Sequence, residues 1–459
     1  MNGDKQRAVV IGGVAAGMSA ASRIRRNKRE WEVTVLERGR FVSYGSCGLP
    51  YFVADLVKDI RGLVVYSADF FRKQRAINVL TRHEAGKIDL ESRTVFARDL
   101  ERGEDVGLGY DKLVICTGAS PAYPDFPGIS LKNIFVIRTA EDGLALKNFI
   151  AGSAPRKAAI IGAGLIGLEM AEAFKARGLE LVVIKRPGSI LKMFDDDMVK
   201  LVEAELNDKG VELIKDAVIQ GFEGDGEGRV SAVVLADRRC EVDFVLLATG
   251  ARPSSELAKE AGLKVNANGT IAVDEKMQTS SPDVFAAGDC VGQKHLVTGK
   301  DVYIPRGTTA NKQGRVAGEN ASGGEDVFEG VVGTAVSKIF DLTVARTGLA
   351  SAEAAREGYD FITSKVAHPS HANTYPAPPP EDITIKLVVE KATGKLLGAQ
   401  MMGKMGVAKR IDVFATALQS GMTVDDISRL DLSYSPPFAP FWDSILVAAN
   451  VALRRLAEG

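Results

Sequence analysis

Two glycine-rich segments of the same pattern constrain the fold of this 459-residue chain more than any other feature. In the first, the β-branched run "RAVVIGG" precedes a stretch of helical character, and "WEVTVLE" then reads as a second strand ending in Glu37. In the second, "KAAIIGAGLIGLEMAEAF" leads to the strand "ELVVIKR". A strand, a glycine turn, a helix and a second strand form the βαβ unit that binds dinucleotides. Two copies predict two nucleotide-binding domains.

The glycines explain why such a unit binds nucleotides. They let the backbone approach a pyrophosphate, the helix N-terminus supplies N–H groups, and an acid such as Glu37 accepts from a ribose hydroxyl. The second unit has the complete pattern, with Gly162, Gly164 and Gly167, whereas the first has Gly12 and Gly17 with Val14 at the middle position.

Each unit is followed by a strand that ends in Thr-Gly, "LVICTGASP" at 113–121 and "VLLATGARP" at 245–253. The segment "TSSPDVFAAGDC" then presents Asp289 after another buried strand, which indicates that the second domain is inserted in the first. We therefore predict a first domain made of residues 1–121 and 252–330, and an inserted domain at 122–251.

The remaining region, 331–459, has a different character. "DITIKLVVEKATGKLLGAQMMG" alternates like a hairpin, and "AKRIDVFATALQSGMTVDDISRL" has helical periodicity. It contains no nucleotide motif, so we predict that it makes a subunit contact. The predicted fold class is α/β, with two Rossmann-like domains, one inserted in the other, and a C-terminal α+β dimerisation domain.

Composition excludes several classes of partner. Lys+Arg 58 against Asp+Glu 59 leaves a net charge of -1, which favours neither nucleic acid nor an anionic membrane. The N-terminal apolar run is too short for a signal peptide, and no stretch reaches the roughly 18 apolar residues of a membrane helix. The four cysteines lack metal-ligand spacing. We expect a cytoplasmic protein without a metal site.

One cysteine, Cys47 in "SYGSCGLPYF", lies ten residues after Glu37. It could be a buried apolar residue, half of a disulfide, or a nucleophile. The sequence "GLPYFVADLVKDI" reads as a helix with Pro50 in its first turn, which would place Cys47 at the positive end of the helix dipole and lower the thiol pKa.

The two glycine units, "ICTGASP", "ATGARP" and "TSSPDVFAAGDC" resemble the FAD- and NAD(P)H-binding pyridine nucleotide-disulfide oxidoreductases from about residue 7 to the C-terminus. "SYGSCGLPYF" and "DLSYSPPFAPFWD" are similar to the single-cysteine branch, which includes coenzyme A-disulfide reductase, NAD(P)H-dependent persulfide reductase, and NADH oxidase and peroxidase. The resemblance implies an NAD(P)H-dependent flavin disulfide oxidoreductase and a homodimer in which each subunit completes the other's active site.

The resemblance also assigns cofactor residues. It places FAD at the first unit and the nicotinamide cofactor at the second. The implied cofactor-binding residues are Gly12, Gly17, Glu37, Arg38, Thr117, Gly118, Asp289, Gly162, Gly164, Gly167, Lys185, Arg186 and Gly250. Because "ELVVIKR" ends in Lys185 and Arg186 where NADH enzymes keep an acid, we predict NADPH as the preferred cofactor, with NADH as the alternative.

Disulfide-cycling relatives use CxxxxC, but the positions five before and five after Cys47 are Val42 and Phe52. Cys47 must therefore react with an external partner: a thiol held as a mixed disulfide, a sulfane sulfur, or oxygen. The resemblance implies that electrons pass from NAD(P)H through the flavin to Cys47. It also aligns Tyr375 and Tyr434 with tyrosines that coenzyme A-disulfide reductases place over the partner's active site.

Coenzyme A has phosphates that need cations. In coenzyme A-dependent relatives, the substrate groove is lined at the positions of Arg23, Arg26, Ser43, Ser46, Arg75 and Asn311. Oxidases and peroxidases of the branch carry a histidine where this chain has Ala15, and the missing histidine argues against a peroxidase. The acceptor remains open between coenzyme A disulfide, coenzyme A persulfide, polysulfide and dioxygen. The alternative functions are an NAD(P)H oxidase and a flavin electron-transfer reductase for a protein partner.

Overall fold

The computed structural model describes residues 5–458. Its first five-stranded sheet is wholly parallel and contains both expected strands of the first glycine unit. In spatial order its strands are Val284–Ala286, Lys112–Ile115, Arg7–Ile11, Glu32–Glu37 and Asn78–Thr81. The chain returns to this sheet at 284 after a long excursion, which confirms the predicted insertion.

The helices of this domain are Ala15–Asn27, Leu49–Val53, Ala68–Arg75, Glu256–Glu260 and Gly307–Ala321. A three-stranded antiparallel sheet, His83–Asp89, Thr94–Asp99 and Asp105–Gly109, covers one side. The central strand Arg7–Ile11 has four of its five residues buried because helices and this small sheet cover both faces.

The inserted domain repeats the same plan. Its parallel sheet has the order Glu212–Ile214, Glu180–Ile184, Lys157–Ile161, Phe244–Leu247 and Ile134–Phe135. Its helices are Ala140–Ser153, Leu165–Ala176 and Asp196–Asp208, and an antiparallel sheet consists of Ile219–Gly224, Val230–Leu235 and Arg239–Glu241. The two connections between the domains run side by side, since Ala119–Pro121 pairs with Ala251–Pro253.

The C-terminal domain has an antiparallel sheet in the order Ala335–Ile339, Leu342–Gly348, Leu396–Gly403, Asp382–Glu390 and Phe361–Pro369. Its helices are Ser351–Arg356, Val407–Gln419, Val424–Ser428 and Ser444–Glu458, and the small hairpin Gln293–Lys294 with Asp301–Val302 lies before it in sequence. The predicted hairpin is confirmed. Strand Leu396–Gly403 is nevertheless buried at every residue, because one face packs on helices and the other faces the inserted domain.

Polar contacts join the inserted and C-terminal domains. The ammonium of Lys386 lies 2.8 Å from Asp195 and 2.7 Å from Asp197, at the start of helix Asp196–Asp208. Glu169 of helix Leu165–Ala176 accepts a hydrogen bond of 2.6 Å from Ser337. The helix that follows the second glycine turn is therefore fixed against the C-terminal sheet.

Candidate active site

The first glycine turn is shaped as a cradle. Gly12 has φ +101°, and a Cβ there would overlap the carbonyl oxygen of Cys116. A Cβ on Gly17 would overlap the carbonyl oxygen of Gly12. The N-cap residue of helix Ala15–Asn27 is Val14, which makes no side-chain cap hydrogen bond, so the first N–H groups of the helix are open to a phosphate. These features fit the pyrophosphate of FAD.

Glu37 lies beside this turn. Its carboxylate accepts hydrogen bonds from the backbone N–H of Gly13 at 2.7 Å and of Gly39 at 2.6 Å. Burial raises the pKa of Glu37, and these two bonds oppose that effect. Arg38 instead points to the surface, where it pairs with Glu84 at 3.4 Å.

Asp289 follows Gly288, where a Cβ would meet the side chain of Ala16 at the start of helix Ala15–Asn27, and Asp289 pairs with a residue that the sequence analysis missed. Arg138 pairs with Asp289 at 2.7 Å and donates to the carbonyl of Ala119 at 3.0 Å. Gly118 has φ +73°, and the hydroxyl of Thr117 donates to Ser254 at 2.5 Å. Nothing in the sequence near 138 signals this contact, because Arg138 and Asp289 are 151 residues apart.

Cys47 is exposed in a short 3-10 turn, Ser46–Gly48. The predicted helix does begin directly afterwards, with Pro50 in its first turn, but it comprises only Leu49–Val53. The expectation of a longer helix through "ADLVKDI" is wrong, because Asp55 turns the chain with φ +66°. A single turn has a weaker dipole than the predicted helix.

A cation that is distant in sequence, Arg306, lies within electrostatic range of Cys47. Arg306 precedes helix Gly307–Ala321, and its Nε atom is buried with no hydrogen-bond partner among residues 5–458. Burial lowers the pKa of Arg306, and Arg346 lowers it further, whereas the charges of Cys47, Glu169 and Asp289 raise it. Sequence reasoning missed this arginine because it lies 259 positions after Cys47.

A groove of about 410 Å³ runs beside the cysteine turn. Four of the six predicted substrate residues line it: Arg26, Ser43, Arg75 and Asn311. Ser46 is outside the lining, and Arg23 is directed away into an ion pair with Glu319. The sequence analysis missed the aromatic wall, in which the rings of Tyr66 and Phe70 stack with centroids 4.5 Å apart.

A second cavity, of about 780 Å³, opens at the other glycine turn. Gly162, Gly164 and Gly250 line it, while Gly167 packs beneath the carbonyl of Gly162. Lys185 also lines this cavity, but its side chain is largely buried and its ammonium donates to the carbonyl of Arg186 at 2.6 Å. Arg186 is exposed at this cavity, as is Lys192, a cation that the sequence analysis missed.

The two predicted tyrosines lie in the C-terminal domain and line neither cavity of this chain. Tyr375 is 40% exposed and Tyr434 is 47% exposed. Phe438, Phe441 and Trp442 are exposed in the same segment as Tyr434. Such a cluster of exposed aromatic side chains is typical of a surface that a second subunit covers.

The geometry agrees with comparisons to known proteins. The family profile "Pyridine nucleotide-disulphide oxidoreductase" matches residues 6–314, and the profile of that family's dimerisation domain matches residues 334–444. The chain belongs to this family. Membership confirms the predicted enzyme class and cofactors, an NAD(P)H-dependent flavoprotein oxidoreductase.

Family members of high similarity include a coenzyme A polysulfide/persulfide reductase of Pyrococcus horikoshii, 40% identical over 97% of this chain and 98% of that protein. A solved NAD-dependent persulfide reductase from A. fulgidus is 42% identical, with TM-score 0.95 over 99% of this chain and 84% of that one. An engineered water-forming NADPH oxidase, derived from a Lactobacillus brevis enzyme and solved with NADPH, is 28% identical, with TM-score 0.93 over 99% of each chain.

The described part of the chain contains neither a candidate metal site nor a candidate membrane helix. Among residues 5–458, no cluster of three or more His, Cys, Asp or Glu side chains could hold a metal ion. No helix within the same residues is long and apolar enough to cross a membrane.

Proposed function

We propose that this protein reduces coenzyme A disulfide, or coenzyme A persulfide and polysulfide, with electrons from NAD(P)H and with Cys47 as its nucleophile. The observation that carries the proposal is an exposed cysteine directly beside a groove lined by Arg26 and Arg75. Cys47 itself is outside the lining, but the lining includes Gly45, two residues before it, so a ligand in the groove lies next to the turn that carries the thiol.

The groove suits coenzyme A in both charge and shape. Arg26 and Arg75 are exposed, and a guanidinium binds phosphate through two parallel hydrogen bonds. The stacked rings of Tyr66 and Phe70 offer a flat apolar surface, with the guanidinium of Arg75 5.7 Å from the Phe70 ring centroid. A charged and an aromatic face side by side match a phosphorylated adenine nucleotide.

The chemistry at Cys47 is a disulfide exchange. The Cys47 thiolate attacks one sulfur of coenzyme A disulfide, the S–S bond breaks, and one coenzyme A thiolate leaves while a mixed disulfide forms. With coenzyme A persulfide the leaving group is hydrosulfide and the mixed disulfide is the same. FAD, when bound, supplies the two electrons from NAD(P)H that cleave this mixed disulfide. The products are the second coenzyme A thiolate and free Cys47 thiolate.

The chain's own residues support these steps. Gly12, Gly17 and Glu37 would hold the adenine-nucleotide half of FAD, and Asp289, fixed by Arg138, would hold the part nearer the cysteine. None of the four histidines lines the groove, which favours a sulfur acceptor over peroxide chemistry. All four cysteines are free, which fits a reducing cytoplasm.

We also propose NADPH as the preferred reductant, selected by Arg186 and Lys192 rather than by the buried Lys185. The substitutions of the engineered NADPH oxidase include two new arginines six residues apart, and Arg186 and Lys192 are also six apart. Replacing both residues with alanine is expected to raise the KM for NADPH about 10- to 100-fold, because a 2′-phosphate loses two cations. The KM for NADH should change less than threefold, and an equal loss for both cofactors would contradict the assignment.

The acceptor is tested by NADPH oxidation with coenzyme A disulfide, coenzyme A persulfide, polysulfide and dioxygen offered separately. We expect the sulfur acceptors that contain coenzyme A to be reduced fastest, and Cys47→Ser to abolish their turnover. Cys240→Ser is the matched control, since Cys240 lies in the hairpin strand Arg239–Glu241 of the inserted domain. Full reductase activity in Cys47→Ser would exclude the mechanism. Dioxygen as the fastest acceptor would establish an oxidase instead.

A further inference from the structure

A single buried arginine connects the two segments that carry the exposed tyrosines. We call residues 370–378, which contain Tyr375, and residues 434–443, which contain Tyr434, the tyrosine segments. Arg410, in the first turn of helix Val407–Gln419, is 8% exposed and lies between them.

The guanidinium of Arg410 contacts both tyrosine segments at once. Its Nη2 donates to the carbonyl of Ser370 at 3.0 Å and to the carbonyl of Phe438 at 3.1 Å. Its Nε donates to the carboxylate of Asp443 at 2.9 Å. The planar guanidinium therefore binds one acceptor in the first segment, the Ser370 carbonyl, and two in the second, the Phe438 carbonyl and the Asp443 carboxylate. A lysine carries a single ammonium in place of the guanidinium, so its donors do not have the same planar spread.

Each segment is also held internally. In the first, His371 Nε2 lies 3.2 Å from the carbonyl of Tyr375 and 3.0 Å from that of Pro378. In the second, Asp443 accepts from the N–H of Ile445 at 2.9 Å and so caps helix Ser444–Glu458. The segments meet directly where the N–H of Ala372 donates to the carbonyl of Pro436 at 3.1 Å.

We propose that Arg410 is a positioning residue that holds the two tyrosine segments as one unit, so that Tyr375 and Tyr434 reach the reacting sulfur in a fixed relation. This inference rests on the proposed function, in which the tyrosines serve the active site of the partner subunit. Two segments joined at one buried charge behave as a rigid element, whereas separate loops would move independently.

The test combines kinetics with hydrogen exchange. Arg410→Lys, Tyr434→Phe and the double variant are compared in NADPH oxidation with coenzyme A disulfide. We expect each single change to lower kcat about tenfold without changing the KM for NADPH. The double variant should stay within about twofold of Tyr434→Phe, because residues that act through one another are not additive. Amide exchange should accelerate in both tyrosine segments of Arg410→Lys.

Three outcomes overturn the inference. The first is a loss of kcat in the double variant that multiplies to about 100-fold. The others are amide exchange in Arg410→Lys that accelerates in only one tyrosine segment, or in neither. If Tyr434→Phe keeps full activity, Tyr434 has no catalytic role, and hydrogen exchange alone then tests whether Arg410 positions the two segments. Asp443→Asn is the second variant should Arg410→Lys not fold. Arg455→Lys is the control, because Arg455 lies in the same domain and donates to the carbonyl of Thr363 at 2.7 Å but contacts neither segment.

Discussion

At the scale of single residues, the charge beside Cys47 matters most for the chemistry. The sequence suggested a helix dipole as the source of thiolate stabilisation, but the helix comprises only Leu49–Val53. The structure places Arg306 within electrostatic range of Cys47 instead, and the Nε atom of Arg306 is buried and unpaired within the described residues. A guanidinium in a partly buried site stabilises a nearby anion more strongly than one in water.

Replacement of Arg306 tests this electrostatic role. In Arg306→Met, the rate of alkylation of Cys47 by iodoacetamide at pH 7 should fall about 3- to 10-fold, because the thiolate loses a nearby cation. Arg306→Lys keeps the charge and should retain most of the wild-type rate. An unchanged alkylation rate in Arg306→Met would show that the arginine does not stabilise the thiolate.

At the scale of elements, the glycine turns show which sequence signals are reliable. The strands Arg7–Ile11 and Lys157–Ile161 and the helices after them begin and end close to the predicted positions. Their boundaries depend on local chemistry, since a positive φ and close backbone contacts admit only glycine at Gly12. The helix after Cys47 was overpredicted, because its end depends on the turn at Asp55 and not on propensity.

Substitution at one glycine of each unit separates strain from ligand contact. Gly12→Ala combines a left-handed backbone with overlap on a carbonyl oxygen, so we expect a loss of about 2–4 kcal/mol in the free energy of unfolding. The purified protein should also contain little FAD. Gly164→Ala meets no atom within 4 Å, and without NADPH its stability should stay within about 0.5 kcal/mol of wild type. Thermal melts measure the stability of the two variants, and flavin absorbance measures their FAD content. Equal melting points for Gly12→Ala and Gly164→Ala would refute the close packing described at Gly12.

At the scale of the whole molecule, Cys47 and the two tyrosines lie in different domains. The C-terminal domain matches the family's dimerisation domain at residues 334–444, and its exposed aromatic side chains lie in the segment of Tyr434. We therefore expect each active site to combine the cysteine of one subunit with the tyrosines of the other.

Hybrid dimers test whether the active site is shared. One subunit carries Cys47→Ser and the other Tyr434→Phe, each with a different affinity tag, so that the hybrid can be purified. A shared site leaves one of the two sites with both native residues, and the hybrid should regain about half of the wild-type activity. If each chain built its own site, the hybrid would stay at or below the activity of the Tyr434→Phe homodimer.

The sequence by itself determined the two nucleotide-binding units, the insertion of one domain in the other and the solitary character of Cys47, because these follow from local patterns of glycine, β-branched and acidic residues. Only the tertiary structure decided where the charged side chains point. It turned Lys185 onto backbone carbonyls, paired Arg23 with Glu319, and brought Arg306 within electrostatic range of Cys47. The last two pairs join residues more than 250 positions apart, so no local pattern encodes them. The contact of Lys185 is local, but burial in the folded chain decides the direction of its side chain.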